Sequence, residues 1–219
     1  MDETEARAEI CRVGRSLFER GYVHATAGNI SVRLADGFLI TPTDACLGNL
    51  QPERLARLDA QGQQLSGDRA SKTIQLHRRI YAADEQARCV IHTHSTHLVA
   101  CSLRADPLNS DMAELLPPIT PYFVMKVGHV PHIAYHRPGA PEAAEAVAQA
   151  ISRYAVTGTP IRAVMLARLG PNVWHDSPAS AMAVLEELEE TAKLHLLAPA
   201  APLGDEQIDE LRRVFGAYW

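Results

Sequence analysis

Apolar side chains recur at helical spacing in six stretches of the chain. In the first, Ile10, Val13 and Leu17 would share one face of a helix, and Gly21 follows as a stop signal. Ser71 is a candidate N-cap for the second stretch, and Ser177 followed by proline has the same role before the longest one. The pattern predicts helices over residues 4–20, 72–81, 96–104, 141–154, 178–197 and 205–219.

Runs of β-forming residues separate these helices. Asp36-Gly37 lies between two such runs and predicts a hairpin, and a second hairpin is expected over residues 55–66 with its turn near Gln61-Gly62. Hairpins mixed with helices indicate an α/β fold, a three-layer α/β/α sandwich with a central, mainly antiparallel or mixed sheet, in a single domain over residues 1–219. Further strands are predicted over residues 89–91, 122–127, 130–135 and 161–167, with a proline-rich loop over residues 106–121.

The stretch A-R-C-V-I-H-T-H-S-T-H over residues 87–97 joins a buried strand to a group of histidines. Side chains two positions apart on a strand share a face, so His92 and His94 can point together at one spot beyond the strand's end. Neutral imidazole nitrogen is a favoured ligand of zinc and related metals. Two ordinary surface histidines at a strand terminus would give the same short pattern, and the pattern alone does not decide between these interpretations.

Three small, polar segments could bind an anion through backbone amides and hydroxyls. One is Thr26-Ala27-Gly28-Asn29, just before the first hairpin, and another is Thr41-Pro42-Thr43-Asp44, where that hairpin ends. The third is Ser71 with Lys72, at a helix start where a phosphate or carboxylate is favoured. Each segment is also explained as an ordinary turn, and Lys72 as an exposed lysine that costs little there.

Composition narrows the classes of partner. The formal net charge of −5 provides no overall basic field for nucleic acid or an anionic membrane surface, and no apolar run reaches the roughly 18 residues of a membrane span. The four cysteines are scattered, without a C-x-x-C pair, as in reduced proteins. We therefore expect a cytoplasmic protein with no nucleic acid or membrane partner.

Ordered motifs along nearly the whole chain resemble one known family. They include T-A-G-N-I-S-V-R, I-T-P-T, L-H-R-R-I-Y, V-I-H-T-H-S-T-H, L-P-P-I-T-P-Y and E-E-L-E-E-T-A. The chain resembles the class II aldolases and epimerases, the family of L-fuculose-phosphate aldolase and ribulose-phosphate 4-epimerase. Within that family it is most similar to the 3-oxo-tetronate 4-phosphate decarboxylases.

The resemblance implies a role for each matching position. His92 and His94 match two of the family's three histidine ligands to a divalent metal, with zinc favoured and manganese or iron as alternatives. Tyr218 resembles a C-terminal tyrosine that reaches into a neighbouring subunit's site, and Tyr122 matches another interfacial tyrosine. Family members are usually tetramers with sites between subunits, which implies a homotetramer and a small anionic substrate here. The positions implied in substrate phosphate binding are Thr26, Gly28, Asn29, Thr43, Asp44, Ser71 and Lys72.

Two positions depart from the family pattern. Thr73 stands where the family has a glutamate that serves as metal ligand or acid/base, and Leu169 stands where it has its third histidine. Leucine has no donor atom for a metal, and the loss of the glutamate carboxylate removes the obvious proton shuttle. Arg168 could place a fixed cation beside the lost histidine and stabilise an enolate without a metal. Other histidines could replace the missing ligand: His97, His129, His132, His136 and His175.

Three functions are compatible with these observations. The first is a lyase, a decarboxylase or aldolase that acts on a small phosphorylated or carboxylated sugar acid through an enolate-like intermediate. In this hypothesis Tyr122, Tyr218 and Arg168 are the candidate catalytic residues. The second is a relative repurposed for isomerisation, oxidation or condensation. The third is a ligand-binding homologue that catalyses nothing.

Overall fold

A mixed β-sheet forms the middle layer of the computed structural model, which describes residues 1–104, 113–198 and 200–219. Within these ranges the sheet has eight strands in the order β4-β3-β2-β1-β5-β8-β7-β6, and every neighbouring pair is antiparallel except β6 with β7. The strands are β1 (Asn29–Leu34), β2 (Gly37–Ile40), β3 (Ala56–Asp59), β4 (Gln64–Ser66), β5 (Cys89–His92), β6 (His132–Ile133), β7 (Ala163–Leu166) and β8 (Gly170–His175).

Helices cover both faces of the sheet. Ile30 and Ile91 point to the face covered by α1, α3 and α6, while Val90 and Trp174 point to the face covered by α2 and α5. The predicted three-layer α/β/α sandwich is therefore confirmed. The helices are α1 (Glu3–Glu19), α2 (Ile74–Ala83), α3 (Thr96–Arg104), α4 (Pro121–Lys126), α5 (Pro141–Val156), α6 (Pro178–Leu197) and α7 (Asp205–Phe215).

Most predicted elements lie where the pattern put them. Both hairpins form, with the β1–β2 turn at Ala35-Asp36, and the Ser177 side chain caps α6 by accepting a hydrogen bond from the amide of Ser180. The strand predicted over 130–135 is reduced to His132–Ile133. Part of the loop predicted over 106–121 falls in residues 105–112, outside the described residues.

Three predictions of local structure are wrong, and one strand was missed. The predicted strand over 122–127 is helix α4, because Thr120 caps the Phe123 amide and Pro121 suits the first turn. Ser71 is not an N-cap: Thr73 holds that position, and its hydroxyl is 2.8 Å from that of Ser71. The last helix ends at Phe215, since Gly216 adopts a left-handed conformation. Strand β8 was not predicted at all.

No helix in the described part of the chain is long and apolar enough to cross a membrane.

Candidate functional site

A cavity of about 1240 Å³ opens where β5 ends and where its antiparallel neighbours β1 and β8 begin, on the sheet face that carries α2 and α5. It collects all seven positions predicted to bind the substrate and both predicted metal ligands, although they come from four separate segments of the chain. These nine lining residues are Thr26, Gly28, Asn29, Thr43, Asp44, Ser71, Lys72, His92 and His94.

Close backbone contacts position the three polar loops that line the cavity. A side chain at Gly28 would lie 2.8 Å from the carbonyl oxygen of His92, so only glycine allows this loop to approach β5 so closely. The amide of Ser71 donates to the carbonyl of Thr41 at 3.2 Å, and that of Thr43 donates to the carbonyl of Arg69 at 2.8 Å. The second and third loops are therefore joined by hydrogen bonds, and the first loop packs against β5.

His92 is held in a defined orientation. Its Nδ1–H donates to the carbonyl oxygen of Pro171 at 2.8 Å, so Nε2 carries the lone pair. The ring is 4% exposed, and its centroid lies 5.0 Å from that of His94. Burial, followed by the charge on His94, lowers the pKa of His92 to about 4. Burial also lowers the pKa of His94, with a smaller contribution from His24, so both rings are neutral at pH 7.

The donor set of this cavity does not fit a catalytic metal centre. Such a centre normally has three protein ligands, and the two departing positions, Thr73 and Leu169, line the same cavity without supplying an imidazole or a carboxylate. Across residues 1–104, 113–198 and 200–219, no group of three or more histidine, cysteine, aspartate or glutamate side chains could hold a metal ion.

The histidines considered as replacement ligands lie elsewhere, with one exception. The Nδ1 atoms of His97, His129 and His175 are each 2.8 Å from a carboxylate oxygen, of Glu189, Glu114 and Asp176 respectively. His132 is buried, with Nε2 3.1 Å from the hydroxyl of Ser102. Only His136 of these five lines the cavity.

His24 was missed by the sequence analysis. Its ring centroid is 6.4 Å from that of His94. The available signal was its position two residues before Thr26, at the start of the first polar segment.

The three predicted catalytic residues do not line the cavity of their own chain. Tyr122 is 61% exposed, and Tyr218 is 45% exposed with the Arg162 guanidinium 5.6 Å from its ring centroid. Arg168 is exposed on the β7–β8 turn in a left-handed conformation, and its amide donates to the hydroxyl of Ser102. The tyrosines stay predictions for a site shared between subunits.

Cationic side chains on α2 also line the cavity and were missed. Gln75, Arg78, Arg79 and Ala82 follow the i, i+3, i+4, i+7 spacing of one helical face, which was a readable signal once Lys72 had been singled out. Arg137, from the loop before α5, joins them.

Two predicted residues, Asn29 and His92, form a polar row at the base of the cavity with Asn172, which was missed. Asn29, His92 and Asn172 are direct partners across β1, β5 and β8, all three are at most 6% exposed, and all three line the cavity. No sequence signal identified Asn172, because the strand that carries it was not predicted.

Comparison with known proteins gives a consistent result. The family model described as Class II Aldolase and Adducin N-terminal domain matches residues 8–196. A 3-oxo-tetronate 4-phosphate decarboxylase from Cupriavidus necator is 50% identical over 99% of this chain and 99% of its own length. The protein of that name from Escherichia coli K12 is 40% identical over 92% of this chain and 91% of its own.

Solved structures agree with these sequence relationships. YgbL from Escherichia coli superposes with a TM-score of 0.84 at 39% identity, covering 96% of this chain and 99% of its own. An L-fuculose 1-phosphate aldolase superposes with a TM-score of 0.79 at 22% identity, covering 99% of this chain and 98% of its own, which shows a shared fold alone.

Proposed function

Because this chain belongs to the family of class II aldolases and adducin N-terminal domains, we propose that it is a lyase that decarboxylates a small phosphorylated 3-oxo sugar acid. The observation that carries the proposal is the identity with a 3-oxo-tetronate 4-phosphate decarboxylase along nearly the full length of both chains. The matched region includes the loops around the cavity, so the relationship extends to the candidate site.

The charges around the cavity support a substrate with two anionic groups. Among the described residues, four cations line the cavity and two carboxylates do, Asp44 and Glu145, of which Glu145 pairs with Arg79. We propose that the polar loops with Lys72 bind the phosphate, and that the arginines favour the substrate's carboxylate end. The four cations are Lys72, Arg78, Arg79 and Arg137.

Decarboxylation is the family reaction that makes the smallest demand on such a site. When the C1–C2 bond of a 3-oxo acid breaks, its electron pair forms the C2–C3 double bond of an enolate, and the keto oxygen takes the negative charge. Carbon dioxide leaves, and C2 later takes a proton from water. The protein therefore has to bind the acid and stabilise one developing oxyanion.

Members of this family generally use a divalent metal ion, which supplies that stabilisation as a Lewis acid when it is bound. His92 and His94 would be two ligands where a catalytic zinc normally has three, so the present residues do not fit a resident zinc, manganese or iron ion.

We further propose a homotetramer of single-domain chains, 1–219, that acts in the cytoplasm. The continuous sheet supports the single domain, and the exposure of Tyr122 and Tyr218 supports subunit contacts that would cover them. The four unpaired cysteines support a reducing compartment.

A direct assay tests the proposed reaction. Purified protein is incubated with 3-oxo-tetronate 4-phosphate, and released carbon dioxide is measured. We expect turnover by the wild type and a large loss in Lys72→Met, because that variant lacks a cation at the proposed phosphate site. Lys193→Met, on the exposed surface of α6, is the matched control and should retain activity. No carbon dioxide from the wild type would contradict the proposal.

A ligand-binding homologue without catalysis is the second candidate, and the loss of ligands at Thr73 and Leu169 favours it. In that case a phosphorylated four-carbon acid would raise the melting temperature of the wild type and less so that of Lys72→Met, with no carbon dioxide released by either. The two candidates therefore differ in turnover, and both require binding.

A further inference from the structure

The polar row at the cavity base has an uncompensated donor. Asn172 is 2% exposed, and its Nδ2 atom has no hydrogen-bond partner among the described residues. A buried donor without a partner costs about 1–3 kcal/mol, so such a group in a native protein calls for an explanation. Since the cavity reaches Asn172, a bound ligand can provide the missing acceptor.

The neighbours of Asn172 in the row offer acceptors instead. His92 Nε2 has its lone pair free, because Nδ1–H is committed to Pro171. On the other side of His92, the Oδ1 atom of Asn29 is buried without a partner in the described ranges. The row thus presents an acceptor, an acceptor and a donor in order across three adjacent strands.

This order is complementary to an α-hydroxy ketone. A keto oxygen can only accept, and a hydroxyl on the adjacent carbon can donate. A 3-oxo-tetronate has this arrangement, with its keto group at C3 and a hydroxyl at C2. The keto oxygen can therefore accept a hydrogen bond from the Asn172 amide, and the C2 hydroxyl can donate one to His92 Nε2.

We propose that Asn172 is a catalytic residue that binds the substrate's keto oxygen through Nδ2–H and stabilises the enolate oxygen without a metal ion. The proposal rests on the proposed decarboxylation. As the C1–C2 bond breaks, its electron pair moves to C2–C3 and the keto electron pair moves to the oxygen that Asn172 binds. Carbon dioxide leaves, and C2 then takes a proton from water in place of the lost carboxyl group.

Low exposure explains why one amide can matter. A fixed donor in a site shielded from water stabilises developing charge more than the same donor in solvent, and it needs no reorganisation during the reaction. Leu169 adds to this by lining the cavity with an apolar side chain that packs against the α2–α5 core.

The test uses Asn172→Leu, which keeps the approximate size of the side chain and removes the donor. Wild type and variant are dialysed against chelator, metal content is measured, and kcat, KM and melting temperature are determined with 3-oxo-tetronate 4-phosphate. We expect metal-free wild type to turn over. We expect kcat of the variant to fall about 100-fold, as for other removed oxyanion donors, with KM changing far less.

Stability separates this role from a structural one. Because leucine removes an unpartnered buried donor, the melting temperature of Asn172→Leu should stay the same or rise while kcat falls. Asn49→Leu makes the same change at an exposed asparagine that does not line this cavity, and should leave kcat unchanged.

Should Asn172→Leu fail to fold, the pair Asn172→Thr and Asn172→Val is compared, since the two side chains differ mainly by a hydroxyl donor. The threonine variant should then be the faster.

Three outcomes would overturn the inference. One is a wild type that decarboxylates only after zinc, manganese or iron is restored, and another is an Asn172→Leu variant with undiminished kcat. Both leave the proposed decarboxylase function intact. The third, no carbon dioxide from the wild type with or without metal, overturns the proposed function and the inference with it.

Discussion

Leu169 and Thr73 are the two residues that separate this cavity from a metal centre. Both line it together with His92 and His94, so ligands placed at these positions would face the same space. Thr73 also occupies the N-cap of α2, where a carboxylate is favoured by the helix dipole. The missing metal ligands are therefore explained by these two side chains.

Restoring both ligands should restore metal binding. We expect Thr73→Glu with Leu169→His to retain about one zinc ion per chain after dialysis, because two histidines become three with a nearby carboxylate. Metal content by mass spectrometry is the measurement. The wild type and a double variant with glutamine at both positions should retain much less zinc. Equal metal in all three proteins would contradict the prediction.

His77 is a second residue whose environment makes a measurable prediction. It is fully buried, its Nδ1 lies 2.7 Å from the hydroxyl of Ser31, and Nε2 has no partner in the described residues. Burial, with a contribution from His92, lowers the pKa of His77 to about 3. The unfolded chain, with an ordinary histidine pKa of about 6.5, therefore binds this proton more readily.

The stability of the protein should consequently fall with acidification. Between pH 6.5 and about 3 the unfolded state takes up the His77 proton and the folded state does not, which costs up to about 1.4 kcal/mol per pH unit. Urea unfolding at several pH values measures this slope. We expect His77→Gln to flatten it, while Lys193→Met, on the exposed surface of α6, should not. A slope identical in all three proteins would refute the assignment.

At the scale of elements, the first two residues of β8 position the base of the cavity. Gly170 lies at φ +153°, and a side chain there would come within 1.9 Å of the carbonyl oxygen of Thr93. The next residue, Pro171, provides the carbonyl that orients His92. The start of β8 therefore links the close packing of this strand against Thr93 to the orientation of the His92 imidazole.

Gly170→Ala should damage both stability and ligand binding. Gly158 is the matched control, since it also has positive φ but no atom within 4 Å of the position that an alanine methyl group would take. We expect Gly158→Ala to cost about 1–2 kcal/mol for its left-handed backbone, and Gly170→Ala about 1–3 kcal/mol more for the added clash. Chemical denaturation and phosphate-analogue binding are the measurements. Equal losses in both variants would show that the Thr93 contact is unimportant.

How far the elements could be predicted depended on how local their signals were. The hairpin at Asp36-Gly37 and the helix after Ser177 were predictable because the turn or cap residues are specific. Strand β8 was not predicted because Pro171, Asn172 and His175 interrupt its apolar run. Its burial comes from strands that are distant in sequence and that a local pattern does not show.

The same distinction applies to the candidate site. The loops around residues 26–29, 42–44 and 71–72 were found from their own composition, and their meeting in one cavity follows the family resemblance. Asn172 and Arg137 could not be found in that way, because only the packing of strands and loops brings them to the cavity. A short motif identified His92 and His94. The hydrogen bond that His92 Nδ1–H donates could not be predicted from it, because the acceptor lies on the neighbouring strand.

At the scale of the whole molecule, the exposed Tyr218 leads to a prediction about subunits. If it completes a neighbour's site, a chain with Lys72→Met and a chain with Tyr218→Phe should complement each other. Each variant alone should be nearly inactive. Coexpressed and randomly mixed, they should give about a quarter of the wild-type activity. In one site of four, Lys72 then comes from a Tyr218→Phe chain and Tyr218 comes from a neighbouring Lys72→Met chain.

The coexpressed protein is purified through a different tag on each chain, and its mass is measured by light scattering. If Tyr218 acts within its own chain, no site of the hybrid can be intact, and activity would stay at the level of the single variants. A monomeric mass would contradict the proposed tetramer directly.

The polar row draws its three members from positions 29, 92 and 172, which are contributed by adjacent strands in the centre of the sheet. A fragment ending before β8, such as a chain still being synthesised, lacks one end of that row. The cavity above the row is lined by residues from both halves of the chain, so it is complete only after the two halves have packed together, and a ligand that fills it favours the folded protein. Substrate abundance would then protect the finished protein against global opening and proteolysis while giving no help to incomplete chains.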